Sequence, residues 1–325
     1  MLVLGLDHED LAATRFAISP MEDVVASLHR RARPGGYALT REWEAAAERR
    51  LAGTNTTLLD ALVSPRGWTP DFLSPFPERP TSELDEELRR IAGTPPERVR
   101  PDFEAAYQGG PLPAVISAAL RKPELLLQDI ALALRGYWDA MLRDLWQRIR
   151  AVLEADIAHW SHQLASGGLA AMFSDLHPTI RWDGRSLYVD VAPDLDLEVA
   201  VAGRRLPLVP SVFARWPLVN IAPELPPVLV YPARGAGLVW DTSRHAPPDL
   251  ARLLGRGRAD VLAALDGPRA TVDLAQLVGA TPSAVSQHLQ ILAGAGLVTR
   301  ARRGRRVLYE RTAIGNALVA QKTAA

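Results

Sequence analysis

The chain has 325 residues, 48% of them hydrophobic and 23% charged, with no cysteine and a formal net charge of zero. That length predicts two or three domains at about 150 residues each. The missing cysteines exclude disulfides, thiolate metal sites and cysteine nucleophiles, and no apolar run reaches the ~18–20 residues that a membrane helix needs.

The opening "MLVLGLDHED" turns acidic early and has neither the basic start nor the long apolar stretch of a signal peptide. The expected compartment is therefore the cytoplasm, with no membrane partner. Charge is unevenly spread. Residues 241–325 carry 12 basic and 6 acidic side chains, a balance of +6, whereas the first 240 carry 25 and 31, a balance of −6. A basic end on an acidic body predicts a polyanion held by that end.

In chain order, residues 1–170 read as mostly helical. "MEDVVASLHR" follows Ser19-Pro20, a helix start with acids in its first turn. In "TSELDEELRRIAG", Thr81 or Ser82 is the expected cap, Leu84, Leu88 and Ile91 share a face, and Gly93 is the stop. Proline-rich connectors, "SPRGWTPDFLSPFPERP" and "GTPPERVRP", flank it. The longest helical stretch begins at "ELLLQDIALALRGYWDAM" and runs to "HWSHQLA", with a break expected near Gly136. Its Trp138, Trp146 and Trp160 are candidates for a ligand pocket or for ordinary core. Asp156, His159 and His162 fall at helical spacing, a pattern common to metal faces and to plain polar surface; no metal site is assigned to them.

The pattern changes near Ser166-Gly167-Gly168. "TIRWDGRSLYVDV" predicts a hairpin turning at Asp183-Gly184, and "LEVAVAGRRLPLV" predicts a second hairpin. "PLVNIAP" and "PVLVYPA" predict short strands broken by proline, either edge strands or irregular extended segments. These add up to a small antiparallel sheet between about 176 and 240.

Short helices then return. In "TVDLAQLVGATPSAVSQHLQILAGAGLV", Thr271 is the expected cap of one helix and Gly279 its left-handed end. Thr281 caps the next, with Pro282 at its first position. Val285, Leu289 and Leu292 face inward, Ser283, Ser286, Gln287 and Gln290 face outward, and His288 lies on the border. Two short helices joined by a tight turn, the second with an outward face of hydroxyls and amides, are a helix-turn-helix. Ser hydroxyls allow close approach to phosphate, and Gln can bond adenine N6 and N7 together. "LVTRARRGRRVLYER" follows as a hairpin turning at Arg303-Gly304, with Arg300, Arg302, Arg303, Arg305, Arg306 and Arg311 along it. Such a basic wing suits flanking phosphates or a narrow minor groove.

The stretch "SAVSQHLQILAGAGLVTRARRGRRVLYE" resembles the ArsR-type (ArsR/SmtB) winged-helix regulators in its S-x-V-S-x-H-L, its A-G-L-V step and its G-R wing ending in Tyr. The resemblance covers about residues 245–320. It implies a homodimeric repressor released from an inverted-repeat operator by an effector, often a metal ion. It carries DNA contact onto Ser283, Ser286, Gln287, His288 and wing Arg305. The full expected DNA-binding set is Thr281, Ser283, Ser286, Gln287, His288, Gln290, Arg302, Arg303, Arg305 and Arg306. The sequence departs from the family's metal chemistry, having no cysteine and neither Asp nor His in "TAIGNALVAQKTAA". "DLAATRFAISPMEDVVASL", "TPDFLSPFPE" and "VLVYPARGAGLVW" are similar to a long-N-terminus subgroup of actinobacterial ArsR-like regulators.

The expected fold is therefore α+β. A domain over 1–240, helical to 170 and β-rich over 171–240, serves dimerisation or effector sensing, and a winged helix occupies 241–325. The partners are double-stranded DNA, a second copy of the chain and a small-molecule effector, with no cofactor assigned. No catalytic motif of the G-x-S-x-G, H-E-x-x-H, G-x-x-x-x-G-K-[ST] or G-x-G-x-x-G type is present, so no enzyme is expected. A non-specific architectural DNA binder and a protein-interaction module remain the alternatives.

Overall fold

The computed structural model describes residues 1–34, 41–191, 196–220, 226–240, 246, 248–265, 267–278, 280–303 and 306–320. The chain divides into two compact units, Met1–Gly237 and Leu238–Ala325.

The first unit runs β1 (Leu2–Gly5), α1 (His8–Ala13), β2 (Arg15–Phe16), α2 (Pro20–Ala32), α3 (Arg41–Arg50), α4 (Thr57–Asp60), α5 (Leu84–Ala92), α6 (Pro96–Ala106), α7 (Ala114–Ala119), α8 (Pro123–Met141) and α9 (Trp146–Leu176). Then come β3 (Ile180–Trp182), β4 (Ser186–Val189), β5 (Leu197–Ala200), β6 (Pro207–Ser211), β7 (Leu218–Asn220) and β8 (Val228–Pro232). The short α10 (Gly237–Trp240) spans the division between the units.

The fold is α+β as its pattern predicts, but the sheet differs from the expected one. Among the described residues the first unit forms two four-stranded sheets, ordered β3-β4-β1-β5 and β2-β6-β8-β7, and both are mixed. Each takes a strand from the first 16 residues. β1 lies between β4, antiparallel, and β5, parallel, and its Leu2 and Leu4 are fully buried. The alternation Leu2, Leu4, Leu6 is the strand signal. The acids that follow build a capping box: Asp7 accepts from Asp10 N at 2.8 Å and Asp10 accepts from Asp7 N at 3.1 Å. Asp10 also accepts from Gly203 N at 2.7 Å, tying α1 to the far turn.

The first hairpin forms. Asp183 accepts from Arg185 N and Ser186 N while Gly184 takes φ +100°. The second expected hairpin does not form. β5 belongs to one sheet and β6 to the other, and the chain between them turns through left-handed Ala202, Gly203 and Arg205. Nor does proline keep its strands at the edges. β7 is an edge, yet β8, the strand of "PVLVYPA", lies between β6 and β7, and β6, with Pro207 and Pro210, lies between β2 and β8. β2 pairs only with Pro207 and Leu208, so Pro210 sits beyond its reach.

Helix limits also shift. α8 passes through exposed Gly136, and the break comes at Arg143–Leu145, a single 3-10 turn. A Cβ on Gly136 would meet nothing within 4 Å, so nothing there forces a break. α9 kinks at Gly168, where φ is +75°, and continues to Leu176 instead of yielding to strand. The N-cap of α5 is Glu83 with no side-chain bond. Ser82 is held instead through its N–H on Ile18 O. Leu84, Leu88 and Ile91 are buried as their spacing predicts.

α2 departs furthest from expectation. Every residue from Pro20 to Leu28 is buried, Glu22 and Asp23 included. Asp23 accepts from Ser211 Oγ at 2.7 Å and from Val212 N at 3.0 Å. Glu22 accepts from Ser74 Oγ. Glu87 of α5 accepts from Met21 N at 2.9 Å, a carboxylate at the positive end of α2. Ser27 and Tyr137 of α8 share a hydrogen bond of 3.1 Å.

The second unit comprises α11 (Pro248–Leu254), α12 (Arg256–Ala263), β9 (Arg269–Ala270), α13 (Thr271–Val278), α14 (Pro282–Gly294), β10 (Val298–Arg303), β11 (Arg306–Arg311) and α15 (Ala313–Ala320). Its core gathers Leu250, Leu262, Leu274, Leu289, Leu292 and Leu297. The sheet order is β10-β11-β9; the two-residue β9 is too short to carry a readable alternation.

Burial, the largest cause in each case, pushes Glu22 up to about 8 and Asp23 and Glu87 to about 7, and pushes His29 down to about 4. A carboxyl raised on folding stabilises below its unfolded value and loses that contribution as pH rises through the folded one. A depressed histidine stabilises above its unfolded value and loses that as pH falls. The two oppose each other below the ordinary histidine value of 6.5, which leaves the range from there to about 8.5 to the carboxyls. Unfolding free energy should fall across that range, by about 2 kcal/mol from Glu22 alone at 1.36 kcal/mol per unit. Glu22→Gln should remove that share. Urea unfolding followed by tryptophan fluorescence checks both; a wild-type profile flat across the range would refute the assignment.

At the base of the wing, Leu297 O accepts from Thr312 N at 3.0 Å, and Thr312 Oγ1 accepts from Gly315 N at 3.1 Å. A Cβ on Gly315 would lie 2.2 Å from that same carbonyl oxygen. Gly315→Ala should therefore destabilise the second unit by about 1–3 kcal/mol through overpacking against backbone. Hydrogen exchange over residues 282–311 reads this out; unchanged protection would mean α15 shifts at no cost.

Candidate nucleic-acid interface

The helix-turn-helix is α13 and α14. α13 ends with Ala280 N donating to Ala275 O at 3.0 Å, a bond of the 6→1 kind that closes helix C-termini. Gly279 itself lies outside the described residues. α14 then starts at Thr281, whose φ of −72° and ψ of 148° are extended and whose hydroxyl accepts from Ala284 N at 3.2 Å. Pro282 occupies the first turn. Thr281 is exposed but serves as the cap, so its hydroxyl is already engaged with the helix.

The inward face of α14 is Val285, Leu289 and Leu292, all buried. Ser283, Gln287 and Gln290 are exposed and Ser286 is half-buried. His288 is half-buried and packs on α12: a Cβ on Gly257 would come within 2.7 Å of its Nε2. Glycine at 257 is thus what lets α12 approach the ring. Ile291, 51% exposed, also lies outside the core.

α14 ends in a complete Schellman motif. Gly296, φ +69°, donates to Ala293 O at 3.0 Å, and Leu297 N donates to Leu292 O at 2.9 Å. Leu292 and Leu297 are both buried, the apolar contact that goes with this motif. The "AGAGLV" step is therefore the device that stops the helix and aims the chain into the wing.

β10 and β11 pair antiparallel from Val298↔Arg311 to Arg303↔Arg306. Gly304 and Arg305 lie outside the described residues, as do the side chains of Arg302, Arg303 and Arg306. Arg300 is exposed and Arg311 half-buried. The structure thus brings Ser283, Ser286, Gln287 and Gln290 together on one helix, with the backbone of a basic hairpin following in the same unit. The first turn of α14 also presents N–H groups and the positive end of the helix dipole, which favour phosphate.

The other sequence candidates lie in the first unit. Asp156 is buried and accepts from Tyr231 OH at 2.7 Å and from Arg234 N at 2.9 Å, while His159 Nε2 meets Arg234 Nη1 at 2.8 Å. Burial raises the Asp156 pKa. Asp156 is a structural anchor between α9 and the chain after β8. Among the described residues no group of three or more His, Asp or Glu is placed to hold a metal ion. Trp138 and Trp146 meet edge to face at 5.1 Å, and Trp160 is buried beside His159.

None of these three tryptophans lines a cavity of about 360 Å3 in this unit. That cavity is bounded instead by α2, the connector around Trp68, the chain around Trp216, and β7 and β8. Sequence reading missed it. The signal was an Arg and a Trp beside proline in two distant connectors, "PRGWTP" and "ARWP", which only the fold brings together.

Residues 97–237 match a family of unknown function, DUF5937, and the match ends where the first compact unit ends. Residues 257–301 match a helix-turn-helix domain family, spanning α12 to the start of β10. No curated protein and no solved structure matches the chain. No described helix is long and apolar enough to cross a membrane. The chain carries a helix-turn-helix domain of the kind found in DNA-binding regulators of transcription.

Proposed function

We propose that the chain is a sequence-specific repressor of transcription that binds an inverted-repeat operator as a homodimer and is released by an effector held in its first unit. The observation that carries this reading is the face of α14, with Ser283, Gln287 and Gln290 exposed above a buried Val285, Leu289 and Leu292. Small hydroxyls and amides on a capped helix are the groups that reach base edges and phosphates in a major groove. Five arginines between Arg300 and Arg306 add the charge that phosphate contact needs.

Dimerisation is supported by the ArsR-type resemblance and by apolar side chains left exposed in the same unit, Leu253 at 69% and Ile314 at 62%. Two recognition helices about 34 Å apart would enter successive major grooves. Effector control is supported by proportion, since 237 residues precede the second unit and take no part in the DNA-reading helix. With no catalytic motif in the sequence, the reading includes no enzymatic step.

Selection of bound fragments from random DNA by the full chain, at near-physiological salt, tests the proposal. An enriched inverted repeat, preferred about 10³-fold or more over random sequence, is the expected result. Salt-sensitive retention without enrichment would reduce the protein to an architectural binder, and no retention would point to protein interaction.

Two substitutions divide the labour on that operator. Gln287→Ala should relax preference at one base position, costing about 1–3 kcal/mol there; an unchanged selected site would remove Gln287 from the base readers. Arg305→Ala should weaken all sequences alike and flatten the salt slope by about 0.9 for one phosphate. An unaltered slope would place Arg305 away from the backbone.

A further inference from the structure

The cavity in the first unit has a composition that its packing role does not require. Four arginines, Arg30, Arg33, Arg66 and Arg215, line it against two carboxylates, Glu22 and Asp71. Even with both carboxylates ionised the wall is cationic. Burial, with Glu87 and Asp23 nearby, pushes Glu22 up to about 8, so at neutral pH it is mostly uncharged and the excess grows. His29, also on the wall, is kept neutral by burial and by the charges of Arg30 and Arg33, and its Nε2 is buried without a hydrogen-bond partner.

The guanidinium groups are anchored in place. Arg30 Nε donates to Phe213 O at 2.9 Å, Arg33 Nη2 to Pro65 O at 2.7 Å, and Arg66 Nη1 to Gln108 Oε1. These three acceptors are neutral oxygens, which hold the guanidinium groups without themselves adding negative charge. Gly67 makes room for one of them: it sits at φ +84°, and a Cβ there would lie 3.0 Å from Arg33 Cζ. A cationic wall organised before any ligand arrives is how binding cost is kept low.

The remaining wall is apolar and flat. Val25, Leu218, Val219 and Val230 line it together with Trp68 and Trp216. Trp216 is 50% exposed, with Arg215 Cζ 5.0 Å from its ring centroid. A half-exposed indole with a guanidinium over its face leaves a large apolar surface at the cavity mouth for an occupant to cover. The volume of about 360 Å3 lies in the range of small-molecule sites.

We propose that this cavity binds a small organic anion, a carboxylate or phosphate ester on a flat apolar body, with the arginines taking the acid group and the two tryptophans taking the body. Arginine forks match the paired oxygens of either acid. Calling the occupant an effector rests on the function proposed above; that it binds does not.

The test uses the full chain without DNA. Indole-3-acetate, benzoate, phenyl phosphate and inorganic phosphate are titrated at up to millimolar concentration beside indole-3-acetamide and tryptamine. Thermal midpoints and calorimetry are the readouts. An aromatic anion should raise the midpoint where its amide and its cationic counterpart do not, and the carboxylate and phosphate arms identify the preferred acid. Arg215→Ala and Trp216→Ala alter exposed residues, so the fold should survive, and each should weaken that anion about tenfold or more. The proposal is overturned if no anion shifts the midpoint, if the amide or the amine binds as well, or if both variants bind like wild type. Adding the bound anion to an operator complex is a separate readout. Binding that leaves the complex intact keeps the site and counts against the regulatory reading.

Discussion

The first unit depends on how α2 accommodates its carboxylates. Glu22 and Asp23 are almost wholly withdrawn from solvent, at 3% and 0% exposure. Burying an ionised carboxylate costs several kcal/mol even after relaxation, whereas protonating a free Glu at pH 7 costs about 3–4 kcal/mol. The smaller cost prevails, and burial lifts all three acids around the start of α2, Glu22, Asp23 and Glu87. In return each acid joins α2 to a different element: Asp23 to the end of β6 through Ser211 and Val212, Glu22 to the connector at Ser74, and Glu87 to α5. α2 thereby acts as the post on which the sheet, the connectors and the helices are hung. Its position also sets one wall of the cavity, because Glu22, Val25, His29 and Arg30 share the side of α2 that lines it.

What the sequence disclosed tracks the range of the interaction. The second unit is specified locally. Thr281 with Pro282 starts a helix, Val285, Leu289 and Leu292 give it a buried side, and Gly296 ends it through bonds spanning five residues or fewer. Each step is legible because cause and effect are neighbours in the chain. The first unit is specified at a distance. β1 pairs with strands more than 180 residues later, and Asp23 meets Ser211 across 188 positions. No period or cap announces such partners, so two strands of different sheets were read as one hairpin, and the acids of the α2 helix start carried no sign of their burial.

The same distinction explains the prolines and the tryptophans. Proline was expected at sheet edges or in irregular segments because a central strand needs every N–H. Pro210 is central but escapes, since β2 is only two residues long. The length of a neighbour, which belongs to tertiary structure, overrode a local rule. Tryptophans on the long helices were candidates for pocket or core, and Trp138 and Trp160 are spent on packing. Trp68 and Trp216, in the irregular connectors, form the cavity instead. Regular elements must bury their apolar faces to exist; connectors carry side chains that no core has claimed.

That difference bears on how the two units divide their tasks. A helix-turn-helix built from local signals has little in it that a ligand could alter, for its shape is over-determined within about 60 residues. The first unit holds what a control element needs: a preformed cationic cavity, a helix whose acids lie near their titration points, and a mouth lined by exposed Arg215 and Trp216. A ligand shifts an equilibrium only by its difference in affinity for the two states, so control requires that the cavity change between them. α2 links cavity wall to sheet through Asp23 and to α5 through Glu87, so a displacement of Arg30 or His29 by an occupant would pull on bonds that leave the cavity altogether. α2 is thus the element that joins the cavity wall to the sheet and to α5.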